Sequence, residues 1–285
     1  MDNAIMVKGI SKTYKDFKLK DISFTLPSGC IMGFIGENGA GKSTTLKAIL
    51  NLISHESGEI QVLGMDSIKD EKEIKKQVGV VFDESNFHDN LKIHDISKIM
   101  SMVYDNWDAE LFGSYLKKFK LPSNKIMKEF SRGMKMKLSI AVALSHHPKL
   151  LILDEATSGL DPIVREEILD IFLEFIQDES HSILVSSHIT SDLDKIADYI
   201  TFIHNGEIVF SESKLDLIDK MGMVNCGFNQ FNELNKNEII CYRKSEFGYE
   251  ILIQDKHRFR INHRDITVDS VTVEQIMLFY VRGEK

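Results

Sequence analysis

A lysine and a serine that follow a glycine-rich loop are the strongest chemical signal in this sequence. The loop begins at Gly36 and reads GENGAG, followed by Lys42 and Ser43, in the spacing G-x-x-x-x-G-K-[ST]. Glycines let the backbone approach phosphate oxygens closely, the lysine supplies positive charge, and the serine hydroxyl can ligate Mg²⁺. The sequence therefore predicts a phosphate-binding loop with these members: Gly36, Glu37, Asn38, Gly39, Ala40, Gly41, Lys42, Ser43 and Thr44.

The elements on either side of the loop suit this role. Ile31 to Ile35 is a short apolar run typical of a buried strand, and Leu46, Ile49 and Leu50 share one face of a helix that follows. The amino terminus of a helix adds unpaired N–H groups and a positive dipole end, both of which favour phosphate.

A second acidic signal occurs where another apolar run ends. Leu150 to Leu153 is followed by Asp154 and Glu155, which predicts carboxylates at the carboxyl edge of a parallel sheet, where such folds bind ligands. We expect Asp154 to hold Mg²⁺ across from Ser43, directly or through water, and Glu155 to lie near the attacking water.

Composition limits the remaining possibilities. The 285 residues are 43% hydrophobic and carry a net charge of −8, which argues against a general nucleic-acid binder. The three cysteines are scattered, so neither a disulfide framework nor a zinc site is indicated. Apolar stretches stay below the roughly 18–20 residues that span a bilayer, so we expect a soluble chain that serves a membrane only through a partner.

Five motifs in a fixed order carry a family resemblance over about residues 3 to 215. They are Tyr14, GENGAGKST from Gly36, FSRGM from Phe130, LLILDEATSGLDP from Leu150 and SSHI from Ser186. The chain resembles the ATP-binding subunits of ABC transporters. The resemblance implies an α/β P-loop NTPase of the ABC ATPase type, with a mixed sheet core, an antiparallel β portion and a helical subdomain.

The sequence predicts two domains. Residues 1–222 form the ATP-binding domain, with helical spacing dominating a subdomain at about 87–147. Residues 223–285 form a small α+β accessory domain, with strands at Ile239 to Tyr242, Tyr249 to Ile253 and Phe259 to Ile261, and a helix at Thr272 to Val281.

The resemblance also implies roles for individual residues. Glu155 resembles the general base, Lys42 the phosphate-binding lysine, and His188 the residue that contacts the γ-phosphate. Tyr14 resembles the aromatic residue that stacks on adenine, although it could be a surface tyrosine in a turn. Asp161 resembles the acid of a loop that crosses to a partner subunit; it could equally be an N-cap before Pro162, and both can hold.

Ser131 and Gly133 resemble the signature motif, which in this family faces ATP held by a second subunit. The resemblance therefore implies a dimer closed around two ATP molecules, formed with a second copy or with a different ATPase subunit. Three positions depart from the family pattern. In the signature, Arg132 stands where a glycine is usual and Met134 where a glutamine is usual. Asp83 stands where a metal-contacting glutamine is usual, and we expect it to meet Mg²⁺ as a carboxylate.

These observations predict a Mg²⁺-dependent ATPase that powers a separate integral-membrane permease. The resemblance extends more faintly to bacterial ABC-2-type exporters of antibiotic and peptide resistance systems, which implies a cytoplasmic subunit held at the inner face of the cell membrane. We expect the permease contact near Phe87 to Leu91. The alternative is a soluble ABC ATPase that acts on DNA or ribosomes, but the chain lacks the long coiled coils and the duplicated motif set of those types.

Overall fold

The computed structural model describes residues 2–83 and 87–284, and the chain divides into two units, Met1–Ser211 and Glu212–Lys285. The expected division after residue 222 differs from this one. The helix at Lys214–Lys220 belongs to the second unit, where the Lys256 ammonium donates a hydrogen bond to the Ile218 carbonyl at 2.9 Å. This contact is between residues far apart in sequence, so the change in composition near residue 222 did not reveal it.

Ten strands begin within the first unit. They are β1 (Asn3–Thr13), β2 (Lys18–Pro27), β3 (Ile31–Ile35), β4 (Ser57–Val62), β5 (Met65–Asp66), β6 (Val78–Val81), β7 (Leu150–Asp154), β8 (Ser182–Ser187), β9 (Tyr199–His204) and β10 (Glu207–Ser213).

The helices of the first unit are interspersed with these strands. They are α1 (Lys42–Ile49), α2 (Glu71–Gln77), α3 (Ile93–Val103), α4 (Ala109–Lys118), α5 (Arg132–Leu144), α6 (Pro162–Phe175) and α7 (Thr190–Ile196), with a 3-10 turn at Met127–Glu129. Helices α3, α4 and α5 lie within the range expected for a helical subdomain.

The strands form two sheets. A four-stranded sheet has the order β2-β1-β4-β5, and its strands pair antiparallel. A six-stranded sheet has the order β10-β9-β3-β8-β7-β6, in which β9, β3, β8, β7 and β6 pair parallel. Every residue of β3, β7 and β8 is buried, as expected for parallel strands covered on both faces.

Strand β3 is central to the larger sheet, with β8 on one side and β9 on the other. Parallel strands end at the same edge, so the segments after β3, β6, β7 and β8 all emerge together there. That edge is where the sequence predicted the phosphate loop and the two acidic residues.

Local signals set the starts of the helices that matter for the site. The Ser131 hydroxyl accepts a hydrogen bond from the Met134 N–H at 3.2 Å and caps α5. The Asp161 carboxylate accepts from the Val164 N–H at 3.1 Å and caps α6, with Pro162 in the first turn. The N-cap interpretation of Asp161 is therefore confirmed.

The second unit has its own sheet. Strands β11 (Gly222–Cys226), β12 (Ile239–Lys244), β13 (Tyr249–Ile253) and β14 (Val268–Asp269) take the order β12-β13-β11-β14 and pair antiparallel. Its helices are α8 (Lys214–Lys220), α9 (Phe228–Glu233), α10 (Lys256–Asn262) and α11 (Val273–Arg282), with a 3-10 turn at Lys236–Glu238.

One predicted strand of this unit is wrong. Phe259 to Ile261 lies within α10, which begins where the Asp255 carboxylate accepts a hydrogen bond from the Arg258 N–H at 2.9 Å. Phe259 is buried while Ile261 is 70% exposed. A short apolar and basic alternation suits a strand, but the cap and the single buried position make it a helix.

None of the helices in residues 2–83 and 87–284 combines the length and the apolar character that a membrane span needs.

Candidate nucleotide site

The phosphate loop joins β3 to α1. Gly39 and Gly41 have φ angles of 82° and 115°, in a region that side chains with a Cβ rarely adopt. Gly41 is the N-cap of α1 and gives it no side-chain cap. The N–H groups of the first turn are therefore available to an external acceptor, which is the arrangement that binds phosphate at helix amino termini.

Lys42 folds back over this loop. Its side chain is 6% exposed, and its ammonium donates to the Gly36 carbonyl at 2.8 Å and to the Glu37 carbonyl at 3.3 Å. The same nitrogen lies 3.3 Å from a Glu155 carboxylate oxygen. The loop thus holds a buried positive charge at the amino terminus of α1, which would attract phosphate oxygens.

Glu155 connects this lysine to His188. Its second carboxylate oxygen lies 2.6 Å from His188 Nδ1, and its side chain is only 14% exposed. The backbone of Glu155 has a φ of 54°, a strained conformation for a residue that is not glycine. Its N–H donates to the Ser186 carbonyl at 3.1 Å and so is fixed to the end of β8. The structure therefore brings together all three residues expected to be catalytic.

Asp154 ends β7 beside this group and is 7% exposed. Its carboxylate accepts a hydrogen bond from the Ser186 hydroxyl, an uncharged group, at 2.6 Å. A buried carboxylate and the Ser43 hydroxyl are the hard oxygen donors that Mg²⁺ prefers. Within the described part of the chain, His, Cys, Asp and Glu do not form a cluster of three or more that could hold a metal, so a cation here would need further oxygens from nucleotide or water.

A cleft of about 460 Å³ opens over the phosphate loop. It is lined by Asp16, Phe17, Glu37, Asn38, Gly39, Gly41, Lys42, Ser43, Thr44 and Glu155. Asp16 and Phe17 were not anticipated. The structure places the Phe17 ring so close to the loop that a Cβ on Gly41 would lie 2.9 Å from it.

Tyr14 lies in the turn that precedes Phe17, and its N–H donates to the Phe17 carbonyl at 2.7 Å. The tyrosine is 43% exposed, with the Lys12 ammonium 5.8 Å from the centre of its ring. Only Phe17 of these two aromatic residues lines the cleft, and the adenine-stacking role of Tyr14 stays a prediction. An aromatic residue three positions after Tyr14 was the signal available in the sequence.

The signature residues lie at the first turn of α5, beside α6. Ser131 caps the helix, and a Cβ on Gly133 would lie 3.4 Å from a Val164 methyl group. Arg132 is the first residue of α5 and has ordinary helical geometry. The position does not have a positive φ and therefore does not need a glycine.

Asp83 is placed differently from the expectation that it meets Mg²⁺. Its carboxylate forms an ion pair with Arg132, and it lines a separate cavity with Phe82 and Phe130 rather than the cleft over the phosphate loop. The Mg²⁺ role of Asp83 stays a prediction, and Arg132 is the charged partner that the structure gives it.

Comparison with known proteins decides the family. A family model described as ABC transporter matches residues 19–158. The bacitracin transport ATP-binding protein BcrA of Bacillus licheniformis is 32% identical over 257 residues, which cover 88% of this chain and 83% of that protein. The chain belongs to the ABC transporter ATP-binding proteins.

Further similarities to this family agree. The lantibiotic transport ATP-binding protein SrtF of Streptococcus pyogenes is 34% identical over 239 residues, which cover 83% of this ABC ATPase and 97% of that protein. A solved ATP-binding subunit of an ABC transporter superposes with a TM-score of 0.69 at 27% identity, covering 75% of this chain and 91% of that one. The predicted ABC ATPase fold and ATP hydrolysis in the service of transport are confirmed.

Proposed function

We propose that this ABC ATPase powers a separate integral-membrane permease that exports a peptide, an antibiotic or another amphipathic compound. The observation that carries the proposal is the extent of similarity to the bacitracin transport protein. The matched 88% of the chain is longer than the first unit, residues 1–211, so it includes part of the second unit as well. A likeness limited to the ATP site would say nothing about export.

The phosphate loop is the proposed site for ATP. The first-turn N–H groups of α1 and the Lys42 ammonium would hold the phosphates, since both are positive and face the same cleft. ATP would replace Glu155 as the partner of Lys42. The Gly36 and Glu37 carbonyls would keep the lysine in place as that exchange occurs.

Ser43 and Asp154 would hold Mg²⁺, which neutralises charge on the transferring phosphoryl group when it is bound. The neutral Ser186 hydroxyl keeps the Asp154 carboxylate in position. In this proposal Asp154 serves as a metal ligand, whereas the neighbouring Glu155 carboxylate serves as the base.

Glu155 is the proposed general base. It would orient a water molecule and accept its proton as the water oxygen bonds to the γ-phosphorus and the bond to the ADP oxygen breaks. His188 holds one carboxylate oxygen of Glu155 at 2.6 Å, so it would fix the direction in which the base points and contact the γ-phosphate itself. Catalysis of this kind depends on positioning and on electrostatic stabilisation.

A second ATPase subunit, either another copy or a different chain, would complete the site. The residues that line the phosphate cleft come from 16–17, 37–44 and 155, whereas Ser131 and Gly133 lie at the start of α5. The free N–H groups and the dipole of that helix would face ATP held by the partner. Asp161, next to this helix, would lie at the same junction.

The permease contact is proposed to involve Phe87 to Leu91 and an apolar cleft of about 460 Å³ lined by residues of α1, α2, β6 and α3. That cleft includes Leu52 and Val103, which are 51% and 62% exposed. Burying exposed apolar surface of this extent would favour association with another protein. This contact would hold the chain in the cytoplasm, at the inner face of the cell membrane.

Two experiments test these proposals. A host strain that lacks this chain should become more sensitive to cyclic peptide antibiotics and lantibiotics, and the wild-type chain but not Glu155→Gln should restore resistance. Equal sensitivity of the strains with and without the chain, when the purified chain hydrolyses ATP normally, would refute export of such compounds. For the contact, Val103→Asp should abolish co-purification with the permease, whereas Leu173→Asp, at a 39% exposed position on α6, should not.

A further inference from the structure

Two of the positions at which this chain departs from the family pattern, Asp83 and Arg132, contact each other. Asp83 follows β6 by two residues, and Arg132 is the first residue of α5. The Arg132 guanidinium and the Asp83 carboxylate form an ion pair, with side chains 51% and 46% exposed. Because the two charges are opposite, the pair adds no net charge to its surroundings.

The Arg132 side chain also packs against the loop between β7 and α6. A Cβ on Gly159 would lie 2.7 Å from an Arg132 guanidinium nitrogen, so the planar group covers the Gly159 backbone directly. Gly159 has a φ of 65°, which a glycine adopts without strain. Arg132 thus joins three segments: the end of β6, the start of α5 and the loop that leads to Asp161.

A second ion pair repeats this connection one turn along α5. The Lys135 ammonium lies 3.6 Å from the Asp89 carboxylate. The same face of α5 therefore holds the chain that follows β6 at two points.

The pair and the proposed base follow neighbouring strands. Strands β6 and β7 pair in parallel with Val81 opposite Leu153, so the segments that lead to Asp83 and to Glu155 leave the sheet at the same edge. If the start of α5 moved relative to β6, Ser131 and Gly133 would move with it. Their distance from the sheet edge where hydrolysis is proposed to occur would then change.

We propose that Asp83 and Arg132 are a positioning pair that sets the first turn of α5 against β6 and the Gly159 loop, and that Asp83 is not a metal ligand. The inference rests on the proposed role of Ser131 and Gly133 at a nucleotide. Neither side chain touches the nucleotide; each acts by fixing elements that do.

A double-mutant cycle tests the pair. We would compare Asp83→Asn, Arg132→Gln and the double variant for kcat, for KM for ATP and for Mg²⁺ dependence. Each single variant should lower kcat severalfold with KM and Mg²⁺ dependence almost unchanged. The double variant should be no worse than the poorer single variant, with a coupling of at least about threefold in kcat.

Lys118 and Glu174 provide the matched control, since they form a comparably exposed ion pair between α4 and α6. Their neutral variants should leave kcat unaltered. The same four chains can be compared by their equilibrium constants of unfolding. For Asp83 and Arg132 the coupling in that constant should be about two- to fivefold, as for other exposed ion pairs. This second reading needs no nucleotide, so it separates failure of the pair from failure of the proposed nucleotide site.

Additive effects in both readings would overturn the proposal. So would an Asp83→Asn variant that needs more Mg²⁺ while Arg132→Gln does not, because that result makes Asp83 a metal ligand. A higher KM with unchanged kcat in Arg132→Gln would assign the arginine to charge compensation near ATP and not to positioning.

Discussion

Glu155→Gln should separate ATP binding from ATP hydrolysis. The amide keeps the shape of the side chain and its backbone position but cannot accept a proton from water. General-base catalysis contributes about 10²–10⁴ in rate, so we expect kcat to fall by at least about 100-fold.

ATP affinity should rise in the same variant. Lys42 and Glu155 are both largely buried and lie 3.3 Å apart, and ATP must displace this interaction to reach the lysine. Unit charges at that distance attract by about 1.3 kcal/mol at the dielectric constant of water and by about 5 kcal/mol at an effective value of 20. The smaller value alone corresponds to about tenfold tighter binding.

Phosphate release under saturating Mg²⁺-ATP gives kcat, and titration with a non-hydrolysable ATP analogue gives affinity. Glu174→Gln, an equivalent change at an exposed position of α6, is the control for the loss of one negative charge. A Glu155→Gln chain that hydrolyses ATP within tenfold of wild type would refute the assignment of the base. Unchanged or weaker affinity would refute the view that Glu155 competes with ATP for Lys42.

Three further variants test neighbouring parts of the structure. Lys42→Ala should weaken ATP binding on the order of 100-fold, because charged hydrogen bonds to phosphate are lost; Lys47→Ala, on the exposed face of the same helix, should bind normally. His188→Gln should lower kcat about 10- to 100-fold, because the imidazole no longer holds the Glu155 carboxylate that acts as the base. ATP affinity should be largely kept, and a loss of affinity without a loss of kcat would contradict this. His146 is buried beside the Val78 carbonyl, and its burial lowers its pKa below 6.5. The unfolded chain therefore binds the proton more readily, so the free energy of unfolding should fall as pH drops below about 6.5. His146→Gln should flatten that dependence in urea titrations at several pH values, and an identical slope in both chains would exclude His146 as its source.

The sequence was most informative where chemistry and backbone geometry coincide. The glycines of the phosphate loop, the acids after β7 and the cap of α5 each leave a local pattern, so their placement could be predicted from a few adjacent residues. Burial on both faces also made β3 and β7 recognisable as continuous apolar runs.

What escaped prediction depends on residues that meet only after folding. The Arg132 and Asp83 pair joins positions 49 residues apart, and Phe17 reaches the cleft because the chain turns back after Tyr14. Helix α10 was misread as a strand since its cap and its one buried aromatic residue matter more than a three-residue alternation. Helix α8 likewise belongs to the second unit through contacts such as that of Lys256 with Ile218, which no local pattern connects.

The self-contained core of the second unit has an evolutionary consequence. Its sheet is built from Gly222 to Asp269, and its buried cluster, which includes Val224, Phe231, Ile251 and Phe259, draws on the same stretch. Substitutions within this cluster therefore change residues other than those proposed to bind or hydrolyse ATP. Exchanging the unit between related transporters would show whether it determines which transport system the ATPase serves.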